Sequence, residues 1–171
     1  MALNTLPAGA FADDAISSDK INLANNFAFT GTVTGAGKIA QIVQATYDTN
    51  GQTVSADSFA QVGPSLSITP SATSSKIFVQ CHGGSMYTAT DKNIKWTIYR
   101  DSSNLGNTNG FYAHFFNSSF GMSGVSMSYL DSPNSTSSLT YATYIRTSSG
   151  SAVTAQDNTT RMVLTAMEVS A

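Results

Sequence analysis

The sequence predicts an all-β protein: a two-sheet antiparallel sandwich, jelly-roll-like, behind an extended N-terminal arm. Three observations predict it. Apolar and polar residues alternate with period two in most segments beyond residue 38. Turn chemistry returns at roughly ten-residue intervals, as short strands joined by reversals require. The composition is that of a strand-former, with nine Phe, seven Tyr and many β-branched residues, and no stretch carries a 3.6-residue period of helical length.

Residues 1–37 read as an arm. Their apolar residues are spaced out (Leu6, Phe11, Ile16, Ile21, Leu23, Phe27, Phe29, Val33) among Ala, Asn, Asp, Gly and Thr. One chain cannot build a core from such spacing. A solvated linker has no use for Phe11, Phe27 and Phe29, so the pattern favours a segment ordered by packing on other chains. FAFTGTVTGAG at 27–37 alternates before a Gly-rich hinge.

Residues 38–171 read as the sandwich, with about eight strands. KIAQIVQATYD (38–48) ends at Asn50-Gly51, a reversal signal. QTVSADSFAQV (52–62) follows, with a short helix over 55–61 as the alternative, and then LSITP (66–70). KIFVQCHGGSMYT (76–88) sets Ile77, Val79 and Cys81 against Phe78, Gln80 and His82, and Gly83-Gly84 predicts a bulge or a close backbone approach. IKWTIYRD (94–101) sets Ile94, Trp96, Ile98 and Arg100 against Lys95, Thr97, Tyr99 and Asp101, which places Trp96 in the core. A polar turn over 102–110 leads to the aromatic run FYAHFF (111–116). GVSMSYLD (124–131), LTYATYIRT (139–147) and RMVLTAMEV (161–169) complete the set.

Composition excludes several classes of function. The chain has 171 residues, a net charge of −2 and only 11% charged residues, against about 25% in an ordinary domain. Ser and Thr make up roughly a quarter of it. Eight Lys and Arg, scattered singly, give no basic stripe for nucleic acid. No apolar run of about 18 residues predicts membrane insertion, and the first residues have no secretory pattern. With one cysteine, Cys81, no internal disulfide is expected.

The chemistry of catalysis is not expected either. Cys81 and His82 are adjacent in a strand and point to opposite faces. The carboxylates near turns, Asp13, Asp14, Asp48, Asp91, Asp101, Asp131 and Asp157, read as Asx turns rather than as a metal site. Glu168 is the one Glu, so no glutamate pair exists for glycoside chemistry. No catalytic residue, cofactor or metal is assigned. Sugar recognition is the remaining binding chemistry. Tyr112 and His114 offer ring faces and Asn109 and Asn117 offer amides, while Phe111, Phe115 and Phe116 read equally as core or subunit interface.

Four phrases carry a resemblance. They are LSITPSATSSKIFVQCHG (66–83), WTIYRDSSNLG (96–106), YLDSPNSTSSLTYATYIRT (129–147) and VLTAMEVSA (163–171). In order and combination they resemble a β-sandwich domain of bacteriophage tail-fibre and minor virion proteins, especially of marine and cyanobacterial phages. LPAGAFADDAISSDKI (6–21) and NFAFTGTVTGAG (26–37) are similar to that family's leader and shaft segments. The resemblance implies a homotrimer on the particle surface. The arm, through Leu6, Phe11, Ile16, Ile21, Phe27 and Phe29, would join other virion proteins, and the head domain would be exposed to host surface glycans. With almost no shaft, the chain fits a short fibre, a knob or a capsid decoration protein; a monomeric carbohydrate-binding module is the non-viral alternative.

Overall fold

The computed structural model describes residues 39–49, 51–55, 57–88, 92–116, 121–147, 153–155 and 160–170. The chain divides between Thr34 and Gly35. The arm residues Leu6, Phe11, Ile16, Ile21, Phe27 and Phe29, and also Asn117, lie outside the described residues.

The described residues form antiparallel strands: β1 (Ile39–Tyr47), β2 (Gln52–Val54), β3 (Ala60–Ile68), β4 (Lys76–Thr88), β5 (Lys92–Arg100), β6 (Ser103–Asn104), β7 (Tyr112–Phe116), β8 (Gly121–Asp131), β9 (Leu139–Thr147), β10 (Val153–Ala155) and β11 (Met162–Val169). They make two sheets. β8 pairs β4 along 77–88, so β11 and β10, which pair the two halves of β4, lie end to end on its other side. β1 and β2 pair those two in turn and are likewise collinear. In the second sheet β7 and β6 share one side of β5, because β9 fills the other.

The strands therefore collapse into eight rows among the described residues. In chain order these are β1/β2, β3, β4, β5, β6/β7, β8, β9 and β10/β11. The sheets then read 1-8-3-6 and 2-7-4-5, with antiparallel neighbours 1·8, 2·7, 3·6 and 4·5. That is the order of a jelly roll, a long antiparallel ribbon rolled over itself.

Several expectations are corrected. Asn50-Gly51 is not a hairpin: Gly51 is left-handed (φ 64°), but β1 and β2 pair β11 and β10, not each other. The interruption at 48–51 only breaks one row, which local turn chemistry cannot reveal. The segment 52–62 is not one strand, nor does 55–61 form a helix. The chain bends at 57–58, and β3 runs on through Gly63-Pro64 into the segment predicted separately. A two-residue register shift between Gln61 and Ser65 accommodates the proline. β10 and β6, too short for a periodic signal, were not expected. The predicted bulge at Gly83-Gly84 is present, with a register shift before Met86. Gly83 has φ 85°, and any side chain there would collide with the Arg161 carbonyl, to which the Gly84 N–H donates at 2.8 Å.

The core lies between the sheets and follows the predicted alternation. Ile77, Val79 and Cys81 of β4 face Ile94, Trp96 and Ile98 of β5, all buried. The Trp96 indole N–H donates to Met86 Sδ across the layer at 3.0 Å. Burial pushes the Cys81 thiol up to about 12, so it is an inert core residue.

Two buried carboxylates close one end of this core. Asp131 on β8 accepts from the single Arg100 Nη1 on β5 with both its oxygens, at 2.8 and 2.7 Å, and takes a third hydrogen bond from the Tyr141 hydroxyl on β9 at 2.6 Å. It is thus an inter-sheet ion pair rather than the turn aspartate that the sequence suggests. Burial and the Asp131 carboxylate together push the Tyr141 phenol far above its usual range. Glu168 on β11 is fully buried. Its Oε1 accepts from the Ser71 N–H at 2.7 Å and the Ser71 hydroxyl at 2.5 Å, and its Oε2 accepts from Gln41 Nε2 at 2.6 Å. Burial would raise its pKa, but these bonds and one from Ser75 outweigh it and hold the carboxyl at about 2.

Asp131→Asn should cost about 3–5 kcal/mol, because it strands the Arg100 guanidinium. Tyr141→Phe should cost about 1–2 kcal/mol. Urea unfolding of the two variants checks the order. Glu168, with its folded pKa depressed, contributes stability that is present above about pH 4.5 and is lost as pH falls toward about 2. Glu168→Gln should therefore be less stable at neutral pH, and its unfolding midpoint should fall less than that of the parent between pH 5 and pH 2.

Candidate functional site

Of the sugar-contact residues expected from the sequence, Tyr112 and His114 lie together on β7, Asn109 lies on another surface, and Asn117 is outside the described residues. Tyr112 pairs Trp96 and His114 pairs Ile94, so both rings lie on the inward face of β7, half-buried. Tyr112 packs on the core, and its hydroxyl meets His114 Nδ1 at 3.2 Å. The alternation of FYAHFF is legible, but a strand alone does not say which of its faces is the inner one. Phe115, on the outer face, is 60% exposed, while Phe111 packs against Tyr129 with ring centroids 5.4 Å apart.

Asn109 is the exception, and it marks a different surface. The outer face of the second sheet carries Lys95 and Tyr99 from β5 and Tyr144 and Arg146 from β9. Asn104–Gly110 folds down over this face beside them. The Thr97 hydroxyl donates to Asn104 Oδ1 at 2.5 Å beneath the loop, and the Gly110 N–H donates to the Asn107 carbonyl at 2.8 Å. Gly110 has φ 82° and lies so close to the Trp96 carbonyl that no side chain fits there. The loop is thereby pinned, and it presents Asn109 to both cations.

Asn109 Oδ1 accepts from Lys95 Nζ at 2.7 Å and from Arg146 Nη2 at 2.9 Å. Nη2 also donates to the Thr108 carbonyl at 3.0 Å. Asp57, 72% exposed, stands 3.9 Å from Nη1, a contact too long and too wet to neutralise much. The Arg146 Nε is buried without a hydrogen-bond partner among the described residues. One aromatic ring covers the guanidinium and two more continue from it: the guanidinium lies 5.0 Å from the Phe59 centroid, Phe59 meets Tyr99 edge-on at 6.2 Å, and Tyr99 stacks on Tyr144 at 4.1 Å.

Sequence reading put Lys95 and Tyr99 opposite Trp96, but did not single out Phe59, Tyr144 or Arg146. The alternation of LTYATYIRT puts Tyr144 and Arg146 on one face. Only the pairing of β5 with β9 brings them beside Lys95.

The first sheet has a second unusual surface. Register places Ile42, Met167, Phe78 and Leu130 in one line across its outer face. Ile42 is 59% and Leu130 47% exposed, and Ile39, where the described chain begins, is also exposed. The adjacent line, Gln44, Thr165, Gln80 and Ser128, is polar. Among the described residues no three His, Cys, Asp or Glu side chains gather as metal ligands.

No protein-family model matches the chain, and no curated protein matches it. Solved structures of low identity do. The structure of infectious bursal disease virus Gx strain aligns at a TM-score of 0.44 and 11% identity over 75% of this chain and 35% of that one. The Gt strain structure gives 0.39 and 10% over 85% and 40%. A mutant VP2 protein of the same virus gives 0.38 and 11% over 85% and 39%. The chain thus spans well under half the length of these solved chains.

Asn109→Leu removes the one acceptor that the two cations share. It should lower stability by about 1–2 kcal/mol. Thermal unfolding should show part of that loss recovered at high salt, where the repulsion is screened.

Proposed function

We propose that this chain is a structural protein of a bacteriophage particle. It is non-enzymatic and associates as a homotrimer. The N-terminal arm, 1–37, fixes it to other virion proteins through residues such as Leu6, Phe11 and Ile16. The jelly-roll head stands outward, where it meets host surface glycans.

The observation that carries this reading is the convergence of the resembling phrases. Ser71 and Ser75 of LSITPSATSSKI reach Glu168 of the closing AMEV. Arg100 of YRDSS, Asp131 of YLDSP and Tyr141 of LTYATY meet in one ion-pair cluster. The phrases are distant in sequence, and each alone is mostly turn chemistry. Their combination has a common physical cause, because each supplies one part of a buried carboxylate's shell. That supports treating the likeness to the phage virion domain as one inherited unit rather than four coincidences.

Two further features support a role in assembly. The line from Ile42 to Leu130 is apolar surface on a chain otherwise covered with hydroxyls, the kind of patch that marks an interaction face. The low charge suits many copies held close together. A purely structural decoration role is the second reading. It shares the arm and the assembly and lacks the glycan contact.

The native mass of the full-length chain should be near three times 17.9 kDa. Removing 1–37 should abolish incorporation into particles and leave a head that still unfolds cooperatively. A head that is incorporated without its arm refutes the anchoring role, and a monomer at particle-like concentrations refutes the trimer.

A further inference from the structure

We propose that the outer face of the second sheet binds an acidic saccharide: Lys95 and Arg146 take its carboxylate or sulfate, and the rings beside them take its sugar face. The proposal rests on the surface-exposed reading of the head, and it names the ligand class which that reading leaves open.

Three observations carry it. First, Lys95 and Arg146 are directly opposed across β5 and β9. Like charges in that position destabilise a sheet. This chain has eight Lys and Arg in all, so two of them meeting here is costly and calls for a compensating anion.

Second, the described residues supply no adequate anion. Both cations converge on one neutral amide oxygen, Asn109 Oδ1, and the nearest carboxylate, Asp57, is solvent-exposed and 3.9 Å away. The other arginines differ: Arg100 Nη1 meets both oxygens of the buried Asp131 carboxylate, and Arg161 meets Asp48 at 2.9 Å.

Third, the Arg146 guanidinium is fixed by Thr108, Asn109 and the Phe59 ring, with Nη2 committed to the first two. Its Nη1 has only the exposed Asp57 near it, at 3.9 Å, and is the nitrogen left to meet an external oxyanion together with Lys95 Nζ. Phe59 lies against the guanidinium, and Tyr99 and Tyr144 extend from Phe59 as half-buried ring surface of the kind a sugar ring stacks on.

The test uses the full-length chain and calorimetric titration with oligogalacturonate and dextran sulfate, each against uncharged dextran. At least one of the acidic probes should bind, dextran should not, and affinity should fall as salt rises. Arg146→Met should weaken binding about tenfold or more, and Lys95→Met by somewhat less. Asp57→Asn, at an exposed position, should tighten it. Lys76→Met, on the other sheet, should leave it unchanged.

Dextran binding as well as the acidic probes, no binding of any probe, or equal loss at Lys76 and Arg146 each overturns the proposal. Arg146→Met is checked for cooperative unfolding, and Asp57→Asn decides the matter if that variant does not fold. Native mass and particle incorporation are read on the same variants. Failure of glycan binding with both intact removes this site and leaves the virion reading standing, whereas loss of trimer and incorporation in the parent chain removes the reading itself.

Discussion

The Asp131 carboxylate is the contact on which the two sheets depend for their relative placement. It sits on β8 of the first sheet, and both Arg100 and Tyr141 reach it from the second. Aliphatic packing between sheets tolerates sliding, because it is non-directional. Charge-assisted bonds from one guanidinium nitrogen to both carboxylate oxygens, with a phenol on one of them, do not. Glu168 sits two rows away on the same inward line, Gln41, Glu168, Ile77 and Asp131 in register across the first sheet. Two ionised groups flank one isoleucine at the same end of the core. Neither could remain without a full set of donors, so the 69–75 loop and the strands β1, β5 and β9 are all committed to definite positions by them.

This constraint also explains which parts of the fold were legible. The strands with clean alternation, β4, β5, β8 and β9, could be read because each buries most of one face, and Ile77, Trp96, Met127 and Ile145 mark that face directly. What failed depends on partners. Asn50-Gly51 has hairpin chemistry, yet the chain continues in the same row because β10 and β11 are waiting to pair both sides of the break. Asp131 has turn chemistry before a proline and is nevertheless drawn inward. It shares the strand parity of Val125 and Met127, which puts it on the core face.

The surface was less legible than the core for a related reason. Tyr112 and His114 are polar-tipped rings in a polar neighbourhood, a reasonable description of a sugar site. Their register with Trp96 and Ile94 makes them the rim of the core instead. The Lys95–Arg146 pair is 51 residues apart in sequence and becomes a pair only when β5 lies beside β9. No periodicity within either strand contains that information.

Strand parity separates the two kinds of content that a single phrase holds. In LTYATYIRT the residues Leu139, Tyr141, Thr143 and Ile145 face inward and complete the ion-pair cluster and the core, while Tyr144 and Arg146 face outward beside Lys95. The inward set is bound by directional partners on other strands, so a change there is felt through the whole roll. The outward set is bound by little more than Asn109 and a few rings, so its residues can be exchanged without refolding the protein. A jelly roll built this way can keep its frame while the outer face of its second sheet varies, and the cation pair that no described carboxylate neutralises is where the present sequence departs furthest from what its frame requires.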